Sequence, residues 1–66
     1  MKVIVNGEEL KFDQALSVAN LLESFQLPTS KVAVERNMAI VPSSLFNTTF
    51  LAEGDRYEIV HFIGGG

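Results

Sequence analysis

Cysteine is absent from the 66 residues. The fold is therefore built without disulfides, and no thiolate is available as nucleophile or metal ligand. Any sulfur this chain handles cannot ride on a side-chain thiol. Histidine occurs once, at His61, which excludes a multi-histidine metal site. Basic residues are few: Lys2, Lys11, Lys31, Arg36 and Arg56 are scattered along the chain, and the net charge is −3. Nucleic-acid binding depends on clustered Lys and Arg, so that class of partner is excluded. No apolar run approaches the roughly 20 residues of a transmembrane helix, and no basic, then apolar, leader opens the sequence. A sequence starting at Met1 without such segments is expected to be made, and to remain, in the cytoplasm, away from any membrane.

Apolar residues make up 47% of the chain, which suits a folded globule and argues against disorder. A chain of this length forms one small domain and buries only ~60% of the surface its unfolded form exposes, so its core must be efficient. Met1 to Val5 is apolar and β-rich, with Val3 and Val5 on one face and Ile4 on the other. Asn6-Gly7 follows, a strong hairpin signal because both residues tolerate positive φ, and Leu10-Lys11-Phe12 reads as the return strand. Ser17 is a helix N-cap candidate; Val18, Leu21, Leu22 and Phe25 then recur at i, i+3, i+4 and i+7, leaving Asn20, Glu23 and Ser24 for water. Pro28 is expected to stop this helix after about ten residues, too short to be stable without a sheet to pack on.

Val32 to Arg36 reads as a third strand with Val32 and Val34 on one face, and Asn37 begins a turn. Ala39-Ile40-Val41 is a short extended piece ended by Pro42, Ser43 to Phe46 fits one helical turn, and Phe50-Leu51 is briefly extended. Gly54-Asp55 marks a turn before the longest strand, Arg56 to Ile63. One helix among strands gives a two-layer α+β domain. A ferredoxin-like arrangement would need a second long helix. A β-grasp fits the order best: a mixed sheet of four to five strands with one main helix on one face. The first and last strands, the most apolar, would then lie side by side and parallel at its centre.

The sequence ends in Gly64-Gly65-Gly66, after a strand that a fold has no need to extend with residues lacking side chains. Residues 1–63 read as the domain and 64–66 as a flexible tail. At roughly 3.5 Å per extended residue, the tail would project a terminal carboxylate about 10 Å beyond Ile63. Only a chain without side chains threads a narrow active site, so Gly64 and Gly65 are assigned to threading and Gly66 to the reaction. His61 reads as a strand residue beside the tail, Glu8, Glu9 and Glu23 as solvated surface, and Glu53 and Asp55 as turn residues with partner contact as the second reading. If Tyr57 and Ile59 face the helix with Val3 and Val5, the other sheet face presents Ile4, Val60 and Phe62, an apolar set that suits partner docking. The opposing reading is that loops, or Leu45 and Phe46, cover that face.

This strand order with a terminal glycine run resembles the ubiquitin-like sulfur carriers. The start Met-Lys-Val-Ile-Val-Asn-Gly, Val34-Glu35-Arg36-Asn37, Ile40-Val41-Pro42, the Gly54-Asp55 turn and the ending from Glu58 to Gly66 are similar to the ThiS family across the whole chain. Three terminal glycines stand where many members have two. The resemblance implies a carrier with no catalytic residues, no metal and no bound cofactor of its own. A partner adenylating (E1-like) enzyme would use ATP to activate the Gly66 carboxylate. A sulfur donor such as a cysteine desulfurase would convert it to a thiocarboxylate, and a thiazole synthase would consume the sulfur in thiamine thiazole formation. The other readings are a carrier of the same fold for molybdopterin or tRNA thiolation, and a ubiquitin-like modifier or interaction module.

Overall fold

In a computed structural model, residues 1–62 are described, and they form a five-stranded mixed sheet with one helix against one face. Strands β1 (Lys2–Val5) and β2 (Glu8–Lys11) are an antiparallel hairpin. Its turn carries positive φ at both Asn6 (49°) and Gly7 (83°), the conformation that matches strand twist in a two-residue loop. Helix α1 (Val18–Ser24) follows, then β3 (Val32–Arg36), β4 (Ala39–Val41) and β5 (Arg56–His61). The strand order is β2-β1-β5-β3-β4, with β5 parallel to β1 and antiparallel to β3. The β-grasp expectation holds, and the last strand occupies the centre of the sheet.

The core is a single cluster on the helix side. Val3 and Val5 from β1, Val32 and Val34 from β3, Val41 from β4, and Tyr57 and Ile59 from β5 meet Val18, Leu21 and Leu22 of α1, with Phe46 and Leu51 closing the rim. The strand alternation thus selects the faces as the sequence indicated. Phe46 belongs to this core, so it does not cover the outer sheet face.

The helix begins where expected and ends sooner. Ser17 is the N-cap, and it forms a capping box with Asn20: the Asn20 N–H donates to Ser17 Oγ (3.0 Å) and the Ser17 N–H donates to Asn20 Oδ1 (3.1 Å). Asn20 is therefore a capping residue rather than one left only to water. At the other end α1 stops after seven residues, well before Pro28. Gln26 takes φ 60°, its N–H donates to Glu23 O, and the Leu27 N–H donates to Leu22 O. This is a Schellman closure with glutamine in the position usually held by glycine. Phe25, at the C-cap, falls outside the buried stripe and is 41% exposed. Pro28 instead opens the 3-10 turn Thr29–Lys31. The last strand also ends earlier than expected, at His61, although Phe62 is still tied to the sheet.

Candidate functional site

Gly64, Gly65 and Gly66 follow shortly after β5 in the sequence, so the site is built from what holds that strand. At its start, buried Asp55 accepts four hydrogen bonds: from the Ala52 N–H (2.9 Å), Arg36 Nε (3.0 Å), Asn37 Nδ2 (3.2 Å) and the Tyr57 hydroxyl (2.9 Å). Burial alone would raise the Asp55 pKa. The bonds from Ala52, Asn37 and Tyr57 and the charge of Arg36 outweigh it and hold the carboxyl below its usual range. Burial, and then the bond to Asp55, push the Tyr57 phenol above its ordinary value. This carboxylate, which the sequence suggests is a turn residue or a partner contact, is an internal anchor joining β3, the turn before β5 and the core. Glu53 accepts from the Lys2 N–H (3.0 Å) on the surface of the same turn.

Toward the other end, the Asn6 side chain holds Ile59, accepting from its N–H at 2.7 Å and donating to its carbonyl at 3.2 Å. The Phe62 N–H donates to Lys31 O at 3.0 Å. The strand is thus clamped toward both ends, up to Phe62, the last described residue. Ile63, Gly64, Gly65 and Gly66 lie outside the described residues, so the assignments of threading to Gly64 and Gly65 and of reaction to Gly66, and the domain boundary at residue 63, fall there too.

The outer sheet face carries Ile4, Val60 and Phe62, the three residues assigned to docking. Val60 and Phe62 are 60% and 50% exposed, and Val60 lies directly opposite exposed Ala33 of β3. Ile4 is half-buried and sits elsewhere on the face, paired with Arg56. Val60 stands four residues farther along β5, about 13 Å at ~3.3 Å per residue. Between them Glu58 lies opposite Glu35, and Glu35 in turn lies opposite exposed Ile40. The face is therefore not one apolar patch. It has an apolar end at Ala33, Val60 and Phe62, a pair of facing carboxylates in the middle, and an isolated Ile4. The outward positions of Ala33 and Glu35 follow from the alternation of Val32 and Val34. Their pairing with Val60 and Glu58 is a register, which no local pattern encodes.

His61 is exposed, and no side-chain hydrogen bond involves it among the described residues. Those residues also contain no group of three or more His, Cys, Asp or Glu able to hold a metal ion, and no helix long and apolar enough to cross a membrane. A hollow of about 320 Å³ is lined by Arg36, Ile40, Pro42 and Leu45 among others, and Phe62 is not part of its lining.

Comparison with known proteins places this geometry. The chain is 47% identical over its full 66 residues to the thiazole synthase of Paramagnetospirillum magneticum, and it spans only 20% of that protein's length. It is 38% identical over 63 residues to the sulfur carrier protein ThiS of Bacillus subtilis, covering 94% of this chain and 96% of that one. The crystal structure of the thiamine biosynthesis protein ThiS from Geobacter metallireducens matches along 100% of both chains, at 32% identity with a TM-score of 0.82. The model of the ThiS family matches residues 2–66, through the last glycine, and the chain belongs to that family.

Proposed function

We propose that this chain is a sulfur carrier protein of thiamine biosynthesis, acting through a thiocarboxylate on Gly66. The observation that carries the reading is the family match running through Gly66. The fold supports it, since a clamped central strand leads directly toward that residue. A carboxylate is a poor electrophile; an ATP-using adenylating enzyme would make AMP its leaving group, and sulfur from a donor such as a cysteine desulfurase would displace it. The thiocarboxylate then delivers sulfur to a thiazole synthase. That partner is supported by the relatives called thiazole synthase, in which a stretch similar to this chain is part of the same protein.

On this reading the chain is a protein substrate rather than an enzyme. It binds no cofactor, ATP belongs to the partner, and it works in the cytoplasm where that ATP is. Gly64 and Gly65 thread the partner's active site. Val60 and Phe62 supply the apolar end of the docking face, with Ile4 as a separate contact. Incubation with the adenylating enzyme, ATP and a sulfur donor, read by intact mass, tests the reading. Exchange of one oxygen for sulfur is expected. A lysine adduct would make the chain a modifier instead, and an unchanged mass would make it an interaction module.

A further inference from the structure

Along β5, alternate residues direct their main-chain groups to opposite neighbours. The even-numbered ones serve the β3 side: Arg56 O accepts from the Asn37 N–H (2.7 Å), and the Phe62 N–H donates to Lys31 O (3.0 Å). The odd-numbered ones serve the β1 side: Asp55 O accepts from the Ile4 N–H (2.9 Å) and Tyr57 O from the Asn6 N–H (2.9 Å). At Ile59 the first strand has already ended, because the chain reverses at Asn6-Gly7. The Asn6 carboxamide substitutes for the missing strand there, with both of its polar atoms on the Ile59 main chain. One step further, the same alternation directs the His61 N–H and C=O into the lane that β1 would have continued. Among the described residues nothing bonds to them from that side, and His61 is exposed. The central strand of the sheet thus becomes an edge strand over its last turn of the register.

We infer that this lane beside His61 receives an extended segment of the enzyme that activates Gly66, pairing main chain to main chain. The inference rests on the carrier reading above. An enzyme that must hold the last carboxylate of Gly64-Gly65-Gly66 has no side chains to grip, so main-chain pairing is the contact open to it. Glycine suits a position where another backbone approaches closely. The lane also borders exposed Val60 and Phe62, so a segment paired here continues onto the apolar end of the outer face. A second copy of this chain is a poorer occupant: it brings a net charge of −3 against the same charge.

Amide hydrogen exchange, followed by NMR on the full chain alone and with the adenylating enzyme and ATP, tests the pairing. In the free chain the Ile59 and Phe62 amides, bonded to Asn6 and Lys31, are expected to be protected, and the His61 amide to exchange freely. In the complex the His61 amide should slow at least about tenfold, the change expected of one main-chain hydrogen bond. Protection of His61 in the free chain equal to that of Ile59 would overturn the inference, as would protection that disappears on dilution and so reports a second copy. An unchanged His61 amide in a complex that consumes ATP would overturn the pairing and leave the carrier reading standing. Failure to bind or to consume ATP would overturn the carrier reading with it. Two variants separate main chain from side chain. His61→Pro, which removes an N–H without an internal partner, should keep the melting temperature and weaken enzyme binding about tenfold, whereas His61→Ala should bind normally. Equal binding by both, or equal loss in both, would contradict main-chain pairing.

Discussion

Replacing Asp55 by asparagine keeps the shape of a side chain that accepts four hydrogen bonds while removing its charge and turning one acceptor into a donor. Three of the four bonds, from Ala52, Arg36 and Tyr57, converge on Oδ2; Oδ1 accepts only from Asn37. An asparagine that keeps its oxygen in the Oδ2 position points its amide at the Asn37 amide, donor against donor. Asn37 cannot turn over without losing its own acceptance of the Arg56 N–H at 2.9 Å. One bond is lost, at about 1 kcal/mol, and the bond from Arg36 loses its charge assistance, for a total of about 2–3 kcal/mol. In a domain of this size that corresponds to a fall in melting temperature of roughly 10–20 °C. The pH dependence gives a second signature. The folded pKa of Asp55 lies below the unfolded value of 3.8, so its contribution is present above the unfolded value and is lost as pH falls through the folded one. Urea unfolding of both proteins, followed by circular dichroism from about pH 2 to 6, should show a stability gap that is widest near neutrality and narrows in acid. A gap under about 1 kcal/mol at neutral pH, or one of constant size across the range, would refute the reasoning.

Three further outcomes follow from the same structure. Met38 sits at φ 74° in the Asn37-Met38 turn between β3 and β4 and is 90% exposed, so Met38→Gly should stabilise the fold by about 1 kcal/mol in the same urea titration. Phe62→Asp should weaken binding to the adenylating enzyme by about tenfold or more in a calorimetric titration, with circular dichroism unchanged, because it removes apolar area at the docking end of the outer face. Gly65→Ala should abolish pyrophosphate release with that enzyme while leaving the melting temperature in place, since it adds a Cβ where the partner's active site must close around the backbone.

The parts of the fold that were legible in the sequence are those set by local patterns. Asn6-Gly7 announces its own turn, Ser17 its own helix start, and Val3, Val5, Val32, Val34, Tyr57 and Ile59 their common face through alternation alone. Where the pattern failed, longer-range terms decided. Pro28 is the strongest local helix breaker, yet Gln26 ends the helix first, because closing there lets Leu27 fold back against Leu22 and pack against the core. Phe25 keeps the helical spacing and loses its burial, because the helix has ended beneath it. The role of Asp55 was hidden for a related reason: its partners Arg36, Asn37 and Tyr57 come from β3, the turn after it and β5, and are brought together only by the fold. The outer-face residues Ile4, Val60 and Phe62 divide in the same way. Parity put Ile4, Val60 and Phe62 on one face correctly, but the register separates Ile4 from the other two and inserts Glu35 and Glu58 between them.

The proposed function places the chemistry of this chain in the carboxylate of Gly66. Its most direct test is tandem mass spectrometry of the C-terminal peptide after reaction with the adenylating enzyme, ATP and an isotopically labelled sulfur donor. Labelled sulfur is expected in place of one oxygen on Gly66 and on no other residue. Label on any other residue, or a C-terminal peptide unchanged while ATP is consumed, would contradict it.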